Sequence, residues 1–535
     1  MTAETQVLVV GAGPTGLMLA LELAHRGVAV RIVDTLDAPS PYSRALVVHA
    51  RSLELFQNLG LETEFLAAGY RAIAVSGYVE GRHVADFGLG DIGAVATPFP
   101  FILFISQAET ERILEQALVR RGVRVERSTT LAGFAQDDNG VTATLQRGDG
   151  SQETLRCAYL AGCDGAHSAV RHGLGLSFEG AAYEQDFALA DVRLDWALPR
   201  DRLMIFFGRP GLLAVFPMPQ GIHRLIMMVP KGFSDSRQAL TLAETATLAQ
   251  RLSKTELRLS EPVWLSRFHL HHRGVDRYGI GRAFVAGDAA HIHSPAGGQG
   301  MNTGIQDAAN LAWKLALVIK RQATPRLLES YSTERWPIGQ VLLKRTDRLF
   351  EIAATGNRWV VALRNLIIPR LMPLMGQHSP LRQRLFRFVS QLGVHYRKSP
   401  VVLELGEWRA GPRAGERAPD ASLYRGHRAI SLFEAMCGPE HHVLIFTGTR
   451  DGASMPLADS WEKRSKMAPF PCRVIVVGRN ISGDSALSDS DGRAHALYGV
   501  PEAGGIYLIR PDGYVGARAP LIDAANMLAQ YVRAI

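Results

Sequence analysis

The stretch Gln6-Val7-Leu8-Val9-Val10-Gly11-Ala12-Gly13-Pro14-Thr15-Gly16 decides the fold. A short β-branched run leads into a turn with glycine at its first, third and sixth positions. Leu17, Leu19, Ala20, Leu23 and Ala24 follow at helical spacing, and His25-Arg26-Gly27 stops the helix. Val28–Val33 then reads as a second strand ending at Asp34. Strand, glycine turn, helix, strand and acid form the dinucleotide-binding arrangement. Gly11 permits the tight turn, Gly13 lets a pyrophosphate approach the backbone, and Gly16 lets the helix pack on the strand. The helix N-terminus offers unpaired N–H groups to phosphate. Asp34 is placed to accept from ribose hydroxyls, and an acid there favours FAD or NAD over NADP. The motif alone does not choose between FAD and NAD.

A second strand-to-helix corner lies far along the chain. Arg282-Ala-Phe-Val-Ala-Gly287-Asp288 again ends in an acid, then passes through Pro295-Ala-Gly297-Gly298-Gln-Gly300-Met301-Asn302 into a helix reaching about Lys320. Glycines without Cβ atoms suit a flat ring lying on bare backbone, and the positive helix end suits negative charge developing there. Corners of this kind also occur in many α/β proteins, so alone it leaves both readings open.

Composition narrows the class. With 535 residues, several domains are expected; 47% hydrophobic and 21% charged residues exclude wholesale disorder. Cys157, Cys163, Cys437 and Cys472 form no Cys-x-x-Cys, so a cytoplasmic setting is expected rather than a disulfide framework. No apolar run reaches the roughly 18 residues of a spanning helix. Residues 358–376 come closest, interrupted by Arg358, Arg364 and Arg370. The net charge of +8 is local, because residues 320–398 hold 15 basic and 4 acidic residues. That argues against nucleic acid as a partner, while the interrupted apolar run argues against an integral membrane contact. The arginines of this helical stretch are expected to pair with acids on neighbouring domains, with a basic pocket for NAD(P)H phosphates as the alternative.

Gly11-x-Gly13-x-x-Gly16, Asp164-Gly165-x-x-Ser168-x-Val170-Arg171 and Gly287-Asp288-Ala289-Ala290-His291 occur in the order and rough spacing of one family. Across residues 5–350 the chain resembles the group A flavoprotein aromatic monooxygenases, the p-hydroxybenzoate hydroxylase family. It is most similar to the phenol-hydroxylase-like and aromatic polyketide hydroxylases. The resemblance implies an α/β fold. A Rossmann-like FAD-binding domain is expected from 1–75, 100–180 and 276–350, with an inserted β-rich substrate-binding domain from 76–99 and 181–275. A helical connecting layer (351–404) and a linker (405–422) would lead to a thioredoxin-like domain (423–535). Lacking Cys-x-x-Cys, that last domain is expected to serve packing and oligomer contacts, a homodimer among them.

The resemblance also implies FAD contacts at Gly11, Gly13, Gly16, Asp34, Arg44, Gln107, Asp164, Gly287 and Asp288, with the flavin ring held by Pro295, Gly298, Gly300, Met301 and Asn302. NADPH or NADH would reduce FAD, and O2 would form a flavin C4a-hydroperoxide that hydroxylates a phenolic or polyketide-like aromatic. Arg224 matches the family's arginine ahead of a substrate-domain strand that meets the flavin. His223, Arg224, Tyr183 and His269 are candidate acid–base residues. Phe206, Phe207, Phe216, Met218 and Met227 read as an apolar wall, with plain core packing as the rival reading. No metal is expected, since His269, His271 and His272 lack a completing acid or Cys at recognisable spacing. A Baeyer–Villiger or epoxidising enzyme of the same fold, and a non-catalytic flavin-binding redox sensor, are the alternatives.

Overall fold

The computed structural model describes residues 5–40, 45–72, 74–88, 97–209, 211–233, 239–293, 296–354, 358–377, 379–407, 410–448, 468–479, 481 and 486–535. The fold is mixed α/β. Its centre is the strand Val7–Val10, followed by the helix Pro14–His25 and the strand Val30–Val33. Val7–Val10 lies inside a six-stranded sheet. Val30–Val33 and Val125–Glu126 flank it on one side, and Tyr159–Gly162, Ala283–Val285 and Gly279–Ile280 on the other. The pairings are parallel except for the last hairpin. Parallel strands are covered on both faces, which is why all four residues of Val7–Val10 are apolar and buried. The second strand starts at Val30 rather than Val28, because Val28 N donates to Leu23 O (3.0 Å) and closes the turn through Gly27.

The glycine-turn helix packs against the helix Gly300–Ile319, which is buried from Asn302 to Val318. A helix buried on every side should be apolar throughout. This one also buries Asn302, Thr303, Gln306, Asp307, Asn310 and Lys314, so each needs a partner.

Strands from two separate parts of the chain build an eight-stranded sheet. Its order is His291–Ile292, Leu257–Gly274, Glu179–Trp196, Ile222–Val229, Gly211–Pro217, Leu203–Gly208, Ala74–Val79 and Arg82–Gly88. One face is a closed apolar core under the helix Leu242–Ser253. The other alternates out of phase: Ile205, Phe207, Leu212, Ala214, Phe216 and Ile226 are apolar yet only half-buried.

A second eight-stranded sheet forms the C-terminal part, in the order Leu403–Glu404, Val515–Pro520, Gly505–Ile509, His441–Phe446, Cys472–Gly478, Ala486–Ser488, Ser422–Arg425 and Arg428–Ser431. The stretch 405–422, expected to be a linker, is instead woven into this sheet where it is described. Gly415 N donates to Val515 O (2.7 Å) and Val515 N to Glu416 O (2.8 Å). Arg518 Nη1 donates to the Ala410 and Pro412 carbonyls. Its glycines serve close packing rather than looseness: a Cβ at Gly411 would sit 2.0 Å from Tyr498 O.

In chain order the helices Glu329–Ala354, Arg358–Gln377 and Ser379–Val389 connect the two large sheets. Among the described residues, no helix is long and apolar enough to cross a membrane.

Candidate active site

Three separated glycine segments meet at one point. A Cβ at Gly16 would lie 1.9 Å from Gly11 O, and one at Gly11 would lie 2.4 Å from Cys163 O, so the first turn fits only if both are glycine. Cβ atoms at Gly287 and Gly304 would lie 2.5 and 2.2 Å from Thr15 Oγ1. The first helix, the Asp164 segment and the Gly287 corner therefore share one crowded seam. Gly13 differs, because a Cβ there would meet nothing within 4 Å. No side chain caps the first helix at Gly13 or the Gly300 helix at Gln299. Both present N–H groups that an anion or a polarised ring can use.

The acids take distinct places. Asp34 staples the glycine turn, its Oδ2 accepting from Ala12 N (2.6 Å) and its Oδ1 from Leu36 N (2.9 Å). Asp164 accepts from Ser168 Oγ (2.5 Å) and Val170 N (3.2 Å). Burial raises its pKa despite these donors. Asp288 follows a fully buried strand yet is exposed. Gln107 Nε2 donates to Glu111 Oε1 (2.8 Å), and burial raises the Glu111 pKa. Arg44 and Pro295 lie outside the described residues.

The loop after Gly287 is clamped from behind. Asn302 Oδ1 accepts from His49 N (2.8 Å) and Ser52 Oγ (2.7 Å), while its Nδ2 donates to Val47 O (2.8 Å) and Gly298 O (2.9 Å). That amide is spent on backbone and on Ser52, so it orients the loop. His49 Nε2 lies 2.7 Å from Gly297 O, and only a donated proton suits that pair. Burial pushes the His49 pKa down to about 4, so the ring is neutral at pH 7. One turn deeper, Asp307 joins His291 Nε2 (2.6 Å), Arg335 Nε (2.6 Å) and Gly287 N (3.1 Å). Burial would raise the Asp307 pKa, but Arg335 and His291 outweigh it and hold it below the usual range.

The substrate-sheet candidates divide by face. Phe216 and Met218 pack against the Leu46, Val47 and Phe104 cluster, with Phe104 and Phe216 edge to face at 5.4 Å. Arg224 pairs in register with Phe216 and Asp191. Asp191 grips it at 2.7 Å on both prongs, and Arg224 Nη1 reaches Ala45 O (3.3 Å). Phe206 and Met227, expected in the same wall, belong instead to the core under Leu248 and Leu252. His223 pairs with Val192 of that core, so it points away from the loops at Ala45 and Gly297. Tyr183 is buried beside Phe187, and His269 binds Asp186 at 2.9 Å. A strand alternates faces at every residue, and a list of apolar residues in sequence cannot say which set faces the cleft.

A family model described as "FAD binding domain" matches residues 4–346. The chain is 37% identical to 6-methylpretetramide 4-monooxygenase of Streptomyces rimosus over 98% of its length and 92% of the relative's. It is 33% identical to pentachlorophenol 4-monooxygenase of Sphingobium chlorophenolicum, over 100% and 97% of the two chains. The chain belongs to the flavin-dependent monooxygenases of this FAD-binding family. A crystal structure of aklavinone-11 hydroxylase with FAD and aklavinone superimposes on this monooxygenase with a TM-score of 0.79 at 26% identity, covering 100% and 99% of the two chains.

The residues present fit FAD. Open space at Gly13, two uncapped helix ends and the exposed Asp288 converge where a dinucleotide with a flat ring would lie. Sequence reasoning missed the supporting residues of the monooxygenase: His49, Asp191, Asp307 and Arg335. Arg171 was visible in its motif without a role. It donates to Ala289 O (3.1 Å) and Ala166 O (2.8 Å), tying the Asp164 segment to the Gly287 corner. Charged residues at buried-helix positions were the available signal, as at Asp307.

Proposed function

We propose that this monooxygenase hydroxylates a bulky phenolic or polyketide-like aromatic, using NADPH or NADH as reductant. The reaction balances as one aromatic C–H, O2, NAD(P)H and one proton giving the phenol, water and NAD(P)+. Bound FAD supplies hydride acceptance and O2 activation. The observation that carries the reading is the half-buried apolar sheet face of Ile205, Phe207, Leu212, Ala214, Phe216 and Ile226, on the side where Phe216 meets Phe104 and Arg224 meets Ala45 O. A face this apolar beside a flavin loop suits a large flat substrate and excludes water, which otherwise wastes reducing equivalents as peroxide. The names of the relatives, which act on pretetramide- and phenol-type compounds, support the same class.

In this reading Gly11, Gly13, Gly16 and the first helix hold the pyrophosphate, and Asp34 and Asp288 bind ribose and ribityl hydroxyls. Gln107 and Asp164 line the same groove. Gly298, Gly300 and Met301 lie under the ring, with Asn302 and His49 holding that loop in shape. Arg224, held by Asp191, orients the loop edge at Ala45. The enzyme is cytoplasmic and acts on a diffusible small molecule, and a homodimer is its expected assembly. The test is NAD(P)H and O2 consumption by the purified flavoprotein across phenols and anthraquinone-like polyketides, with isotopically labelled O2. Aromatic-stimulated consumption with one labelled oxygen in a phenolic product is expected. A lactone, an epoxide, or no stimulation by any aromatic overturns hydroxylation.

A further inference from the structure

The helix Arg358–Gln377 is turned inside out. Arg364 points inward and is buried, with its guanidinium over the Phe207 ring (5.5 Å) and its Nη2 donating to Gly208 O (3.1 Å). From 359 to 367 its exposed large side chains are apolar: Trp359 is 74% exposed, Leu363 57% and Leu366 55%, with Val360 and Ile367 beside them. Spacings of three and four residues put these on one stripe, larger than the scattered apolar residues of an ordinary surface. The surroundings are cationic. From residue 352 to 403 the chain has no Asp or Glu but eight Lys or Arg. Arg370, Arg384 and Arg387 are exposed, and none forms an ion pair among the described residues.

We propose that this face docks on an anionic phospholipid surface, with the apolar stripe entering the headgroup boundary and the neighbouring arginines over the lipid phosphates. A Trp–Leu–Ile stripe continued by the exposed Arg370, with exposed Arg384 and Arg387 on the next helix, has the composition of an interfacial surface. The charge decides against a second copy as the occupant, since two-fold packing of this stripe would set one acid-free rim against another. The contact is peripheral, because no described helix can span.

The test is flotation of the full-length flavoprotein with vesicles of phosphatidylcholine alone or mixed with phosphatidylglycerol. The expected result is binding to the mixed vesicles only, weakened when salt is raised from about 0.1 to about 0.5 M. Leu363→Ser/Ile367→Ser should reduce partitioning about tenfold or more with flavin content unchanged. If that double variant does not accumulate folded, Leu366→Ser carries the same expectation at smaller size. Three results each overturn the proposal: no flotation with either vesicle, binding that neither variant reduces, or a salt-resistant dimer that Leu366→Ser splits while vesicles are ignored.

Discussion

At the residue scale, single atoms separate structural from chemical duty. Asp288→Ala removes an exposed carboxylate from the corner and should weaken FAD by about tenfold or more, a charge-assisted hydrogen bond being worth about 1.5–3 kcal/mol. Fluorescence titration of the apoprotein reads this, and unchanged affinity would remove Asp288 from the flavin site. Asp191→Ala leaves the buried Arg224 guanidinium without its two-pronged acid. It should cost about 3 kcal/mol in urea unfolding, because a buried charge is stranded. Asp288 was legible from its place at a strand end, whereas Asp191 was not. An acid mid-strand looks solvent-facing until the register sets it opposite Arg224.

At the scale of the element, the loop between Gly287 and the Gly300 helix is held by neighbours distant in sequence. Gly298 has φ +62, and a Cβ there would lie 2.7 Å from Val47 Cβ. Gly298→Ala should therefore lower flavin occupancy through both contact and backbone strain, the latter about 1–2 kcal/mol. Adding Val47→Ala should relieve the contact and restore only part of the occupancy, measured by flavin absorbance per chain. Full restoration would assign the whole effect to packing. The glycines themselves were readable in the sequence. Their clamp, Asn302 with His49 and Ser52, was not, because it joins residues some 250 positions apart.

At the scale of the whole molecule, the C-terminal sheet docks on the flavin half through buried charge. Arg510 grips Glu334 at 2.7 and 2.9 Å and Asp512 at 2.6 Å, while Lys314 (2.8 Å) and Ser399 (2.6 Å) complete Glu334. Arg510→Ala takes the shared guanidinium from two buried acids, leaving Lys314 on Glu334, and should lower stability by about 3 kcal/mol in denaturant, loosening both halves together. Burial would raise the Glu334 pKa, but Arg510 and Lys314 hold it well below the usual carboxylate range. A depressed acid stabilises the fold above its unfolded pKa of about 4.3, and that stability is lost as pH falls through the folded value. The melting temperature should therefore drop below about pH 4, and Glu334→Gln should flatten the drop; an equal slope in both proteins would exclude Glu334 as its source.

By itself the sequence determined the glycine turn and the two strand-to-acid corners, because each depends on residues adjacent along the chain, while flavin rather than NAD followed from the resemblance carried by three motifs in order. It also showed the basic excess at 320–398, without saying where those side chains point. Only tertiary structure decided which sheet face packs toward Leu46, Val47 and Phe104, that 405–422 is woven into a sheet where it is described, and that Arg364 turns inward while Trp359 and Leu363 turn out. Those outcomes depend on register and burial, and both are set by contacts between segments that the chain order keeps far apart.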